Sequence, residues 1–381
     1  VDALTAATRL KLPFENIHWN FNDQAFKQID WTTEPDTDIK LLYQARARQL
    51  REKYDYIIIN CSGGSDSNTA LFSFLDQGLH VDEIVVRYAK TGTEKYGFDL
   101  WNAKAENEFS EFKFAVLPML ATVKKVSPNT KITVHDHSLD ALNLDKNFDE
   151  NFIYWCGDCQ SPGFITRFQH NTLIEDLRVF DKDKKIAIIF GIDKPKIHLK
   201  NGHMYCYFVD RVAQPGLIPT FYSDNTNITS ELFYWTPDLP DMLVKQAHLM
   251  KRWYETKSNH SLVRLLDPLK QAVPQHRGTY ETIAKGILYP DYDLATFQAQ
   301  KPCRFTLQEW DFWIKDHTQS NGYKVWLSGI KHIAQNVNAS YLQGVVDFEK
   351  FDWAMRMIIS NEYCLGPTHV QIPTSQVNIT Y

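Results

Sequence analysis

The apolar run Tyr56-Ile57-Ile58-Ile59-Asn60 leads directly into Ser62-Gly63-Gly64-Ser65-Asp66-Ser67, and Asn68 to Gln77 then carries helical spacing. A buried strand, a glycine-rich turn and a helix in immediate succession restrict the chain to an α/β fold with the turn at a strand end. Ala70, Leu71, Phe74 and Leu75 form one apolar helical face. Ile84-Val85-Val86 follows as the next strand, which completes a β-turn-α-β unit. Gly63 and Gly64 carry no Cβ, so the turn can bring its backbone close to a ligand. Successive backbone N–H groups in such a turn form a nest for anionic oxygens, and the helix behind it adds a partial positive charge. The hydroxyls of Ser62, Ser65 and Ser67 can donate to phosphate. Asp66 repels phosphate unless a cation lies between, which points to Mg²⁺.

Four β-rich runs alternate with helical patterns: Tyr56–Asn60, Glu83–Tyr88, Lys131–His135 and Lys185–Phe190. The first and fourth are almost continuously apolar, as strands covered on both faces are. Ala105, Phe109, Phe112 and Val116 keep helical spacing between the second and third. Ser161-Pro162 reads as the start of a helix running to about Phe180. This alternation predicts a doubly wound parallel sheet, with ligands at the carboxyl ends of its strands. Residues 1–53 read as an irregular arm followed by a helix from Asp38 to Lys53, and residues 54–200 as the α/β domain. Residues 201–381 read as a mainly helical C-terminal region. Its helices begin near Pro240 and cover Leu307–His317 and Tyr323–Asn336.

The glycine loop is neither a G-x-x-x-x-G-K-[ST] loop nor a G-x-G-x-x-G fingerprint. It resembles the PP-loop, S-G-G-x-D-S, of the ATP pyrophosphatase superfamily, at Ser62, Gly63, Gly64, Asp66 and Ser67. The resemblance spans residues 54–200. It implies an adenine nucleotide alpha hydrolase-like fold and an enzyme that uses Mg·ATP, adenylates a substrate oxygen and releases pyrophosphate. Amine or sulfur transfer would follow, as in a ligase or a sulfurtransferase. Thr91-Gly92-Thr93-Glu94, after the second strand, is similar to a segment of the sulfonucleotide-reductase branch. Thr91 and Gly92 would then lie near the nucleotide; the same residues also suit an ordinary βα turn. A PAPS-reductase-like enzyme and a non-catalytic nucleotide-binding protein on this fold are the alternatives. Glu362-Tyr363-Cys364-Leu365-Gly366 does not reproduce the E-C-G-x-H nucleophile of those reductases.

Family members often place a glycine and then an acid after the fourth strand. Gly191 and Asp193 occupy those places, and the acid would hold metal or substrate. Lys194, Lys196, His198 and Lys200 add positive charge, and Lys194 could stabilise departing pyrophosphate. A solvated basic loop is the plainer reading. Cys156-Gly157-Asp158-Cys159 fits two structural cysteines. It also fits a zinc or iron–sulfur site, with His203 and Cys206 as the other half of a zinc set, or sulfur relay. Phe233-Tyr234-Trp235 and the helix bearing Lys245, His248, Lys251 and Arg252 read as aromatic core plus a solvated face. Base stacking with phosphate contacts is the second reading.

The net charge of −5 provides no basic field. A small-molecule or nucleotide acceptor is therefore expected, with RNA possible but not favoured. No run of about 18 apolar residues occurs, so no membrane span is expected. The N-terminal residues do not form a secretory signal, and six cysteines in 381 residues make no disulfide framework. A cytoplasmic location is the expectation.

Overall fold

A computed structural model describes residues 21–88, 112–136, 183–192, 194–208, 227–267, 274–293, 295–296, 319 and 360–371. The elements in chain order are α1 (Asp23–Phe26), α2 (Ile39–Lys53), β1 (Tyr56–Asn60), α3 (Ser65–Leu75), β2 (Glu83–Tyr88), α4 (Leu117–Val126) and β3 (Lys131–Asp136). They continue with β4 (Ile186–Phe190), β5 (Lys196–Lys200), β6 (His203–Tyr207), β7 (Ile228–Leu232), α5 (Pro240–Glu255), α6 (Pro274–Leu288) and β8 (Tyr363–Pro367). A π-helical turn, Phe112–Val116, leads into α4, and a 3₁₀ segment, Lys257–Leu266, follows α5.

Five strands form one parallel sheet in the order β3-β2-β1-β4-β7. The residue types explain the order. Ile57 to Ile59 in β1 and Ile186 to Ile189 in β4 are fully buried, as inner strands must be. At one outer position, β3 carries the exposed Val134. At the other, β7 reads Ile-Thr-Ser-Glu-Leu, and only Leu232 is buried. The direction of growth reverses between β1 and β4, so the switch point lies at the carboxyl end of β1.

The alternation of strand and helix does not stop near residue 200. β7 extends the parallel sheet, pairing Ile188 with Ser230. β5, β6 and β8 form a second, antiparallel sheet, and the β5–β6 hairpin turns at Asn201 and Gly202. The region after residue 200 therefore supplies strands as well as helices. β7 lacks an apolar run because its Glu231 serves a buried arginine. Arg46 of α2 is completely buried and its Nη2 lies 2.9 Å from Glu231 Oε2. The helical patterns expected at Ser161–Phe180, Leu307–His317 and Tyr323–Asn336 lie outside the described residues.

Residues 21–36 are docked rather than loose. Trp31 stacks on Tyr363 at 4.7 Å, and Phe26 packs against Phe208 and Trp235. The basic face of α5 is correspondingly half covered, not fully solvated. Lys245 pairs with Glu34 and donates to the Pro35 carbonyl, and His248 Nε2 donates to the Trp31 carbonyl at 2.9 Å. Phe233, Tyr234 and Trp235 are buried, as the core reading expects.

Burial holds His248 below its ordinary value of 6.5, and it also lowers His198, against the raising effect of Glu362. At these two rings the unfolded chain therefore takes up protons near pH 6.5, before the folded chain does. Their contribution to stability is full above that pH and is lost as the pH falls through it. The melting temperature should fall between about pH 7.5 and 5.5, and His248→Gln should flatten that slope. An unchanged slope in the variant would remove His248 from the explanation.

Candidate phosphate-binding site

The loop sits at the carboxyl end of β1, beside the switch point. Gly63 has φ +72°, and its α-carbon is pressed against the turn before α4. A Cβ there would lie 2.9 Å from the Val116 nitrogen. Gly64 is the N-cap of α3, extended at φ −74° and ψ 161°, and no side chain caps the helix. An uncapped helix start directs N–H groups and positive potential out of the loop.

Ser67 closes the loop on itself. Its Oγ accepts from the Ser62 N–H at 3.2 Å and donates to the Gly64 carbonyl at 3.2 Å. The Ser67 hydroxyl proton is therefore used inside the loop rather than offered to a ligand. Ser62 is exposed at the tip. Ser65 behaves differently: its Oγ is buried and has no hydrogen-bond partner. The same holds for both amide atoms of Asn60, at the end of β1, and for Asn68 Nδ2 on α3. A buried polar atom left unpaired costs about 1–3 kcal/mol. Four such atoms on three residues flanking one loop mark a place where polar partners belong.

Gly191, at the end of β4, is required by a close crossing. A Cβ on it would meet the Asp66 carbonyl carbon and the Ser67 nitrogen and α-carbon, all at 2.8 Å. The β4 end thus lies directly beneath the first turn of α3. The C-terminal region secures the loop from outside. Tyr292 donates to the Gly63 carbonyl at 2.8 Å and Tyr234 to the Asp66 carbonyl at 2.6 Å. Tyr234 belongs to a buried group with Tyr43 and Tyr289, with ring centroids 5.3 and 5.4 Å from it. Burial raises all three phenols, and the Asp66 charge adds to the effect.

The Asp66 carboxylate is 24% exposed and faces Lys194 Nζ at 3.3 Å. Lys194 and Lys196 are buried, so the solvated-loop reading does not hold for them, whereas Lys200 is exposed. Glu281 of α6 lies 3.1 Å from Lys194 Nζ and also pairs with Lys196. Lys200 pairs instead with Glu362, which also lies 3.0 Å from His198 Nε2, so the apparent basic cluster divides between two sets of carboxylates. Residue spacing could not reveal Glu281 or Tyr292, because each arrives from a distant helix or its end. Asn60 and Asn68 were within reach of a search for polar residues at the strand end and the helix start.

Among the described residues no three His, Cys, Asp or Glu side chains converge to hold a metal. Mg²⁺ does not need such a set, since it commonly takes one or two carboxylates with phosphate and water oxygens. Asp66, partly exposed at the loop, is a suitable oxygen donor. His203 and Cys206 stand three apart on β6, so strand alternation places their side chains on opposite faces. Burial raises the Cys61 and Cys206 thiols. Thr91, Gly92, Cys156, Cys159 and Asp193 lie outside the described residues. In comparisons with known proteins, no family model matches the chain and no curated protein matches its sequence.

Proposed function

We propose that the chain is a Mg·ATP-dependent enzyme of the PP-loop type, built on a doubly wound sheet, that adenylates a substrate oxygen and releases pyrophosphate. The observation that carries this reading is the set of unpaired buried polar atoms on Asn60, Ser65 and Asn68 around an uncapped helix start at the switch point. Phosphate oxygens would accept from the Asn60 and Asn68 amide N–H groups and the Ser65 hydroxyl, and water would donate to Asn60 Oδ1. The loop N–H groups would hold the β and γ phosphates. Mg²⁺ on Asp66 would offset their charge. Lys194, already at the loop mouth, would meet the charge that develops on departing pyrophosphate. An amine or sulfur nucleophile would then displace AMP from the activated small-molecule or nucleotide acceptor.

Pyrophosphate release from Mg·ATP, measured over a panel of candidate acceptors, tests this reading. Asp66→Ala is expected to slow release on the order of a hundredfold. Equal release by parent and variant would defeat the mechanism.

A further inference from the structure

Among the described residues, two carboxylates from different elements hold Lys194. Asp66 approaches from the loop at 3.3 Å and Glu281 from α6 at 3.1 Å. The Lys194 side chain is 5% exposed, so water does not screen these contacts well. The second oxygen of Glu281 is engaged by Lys196, which is itself buried and lies 5.5 Å from the Tyr280 ring centroid. Tyr280 in turn accepts the Ile197 N–H at 2.8 Å, which fixes α6 to β5 at this point. Glu281 is thus anchored from behind by Lys196 while its front oxygen holds Lys194 at the loop mouth.

We propose that Glu281 is a positioning residue that competes with an incoming phosphate for Lys194. Without ligand it keeps the ammonium from collapsing fully onto Asp66. When a pyrophosphate-bearing ligand enters the loop, Lys194 exchanges Glu281 for a phosphate oxygen, and Lys196 retains the released carboxylate. The C-terminal region then sets how tightly the loop grips a polyanion. This inference rests on the reading of the loop as a pyrophosphate site.

The competition makes opposite predictions for two residues of one ion pair. Glu281→Gln removes the competitor and should tighten binding of inorganic pyrophosphate to the full chain by about tenfold. Lys196→Gln leaves Glu281 more firmly on Lys194 and should weaken it by about tenfold. A merely structural Lys196–Glu281 pair would make both variants bind more weakly. Titration calorimetry with pyrophosphate in magnesium-containing buffer reads the difference. Glu281→Asp withdraws the charge by one methylene and should fall between parent and Gln, which covers a failure of the Gln variant to fold. If the parent binds no pyrophosphate, the reading of the loop fails and this inference falls with it. If the parent binds but Glu281→Gln or Glu281→Asp binds no tighter, or Lys196→Gln binds no weaker, the competition alone is overturned.

Discussion

Gly63→Ala is expected to lose roughly 2–5 kcal/mol of stability, from a left-handed backbone penalty and overpacking acting together. At φ +72° an alanine is strained wherever its side chain points. Its Cβ would also lie 2.9 Å from the Val116 nitrogen and 3.0 Å from the Ala115 carbonyl carbon and Cβ. Two of these three atoms belong to backbone, which cannot swing aside as a flexible side-chain end could. Gly191→Ala separates the two contributions. That position has only the steric problem, with three backbone atoms of Asp66 and Ser67 at 2.8 Å, and should lose about 1–3 kcal/mol. Urea unfolding of the full chain compares them. A Gly63→Ala protein as stable as the parent would mean that the loop is not clamped against the start of α4.

Arg46→Ala should cost about 3–5 kcal/mol, the range for breaking a buried ion pair from one side. The guanidinium contacts Glu231 at 2.9 Å, Gln49 Oε1 at 2.7 Å, and the Leu232 and Phe233 carbonyls at 3.3 Å each. Its removal leaves those carbonyls short of donors and leaves a cavity between α2 and the outer strand. Arg46→Lys keeps the charge but not the planar fork, so an intermediate loss is expected. Burial raises the Glu231 carboxyl, but Lys53, Tyr54 and Arg46 outweigh that and leave it below its ordinary 4.5. Its contribution is therefore complete above pH 4.5 and is lost as the pH falls through the lower folded value. Glu231→Gln should flatten that part of the acid limb. A thermal melt of Arg46→Ala indistinguishable from the parent would show that β7 is held by its ladder alone.

Much of the central sheet was legible in the sequence. β1 and β4 are marked by almost continuously apolar runs, because strands between other strands must be apolar on both faces, and β2 and β3 by shorter β-rich runs. The alternation of strand and helix predicted a parallel sheet, while the order β3-β2-β1-β4-β7 came only from the pairing of the strands. β7 was illegible for the converse reason. As an outer strand it needs little apolar surface, and its Glu231 is present for Arg46 rather than for the core. The stretch from Lys194 through β5 could read as a basic loop because lysines usually mark solvent. Here Asp66 and Glu281 make the burial of Lys194 and Lys196 tolerable, and Glu362, just before β8, faces the buried His198.

By itself the sequence determined that a strand ends in a glycine turn before a helix, with Ser62, Asp66 and Ser67 at that turn. These are local facts, set by residues within one β-turn-α unit. Only the tertiary structure decided what each does. It uses Ser67 to close the loop, leaves Ser65, Asn60 and Asn68 with unpaired buried atoms, and brings Tyr234, Tyr292 and Glu281 to the loop. It also turns Gly191 into a steric requirement, because α3 crosses β4 at backbone contact. Burial and pairing depend on segments distant along the chain, and no local pattern encodes which carboxylate will meet a given lysine.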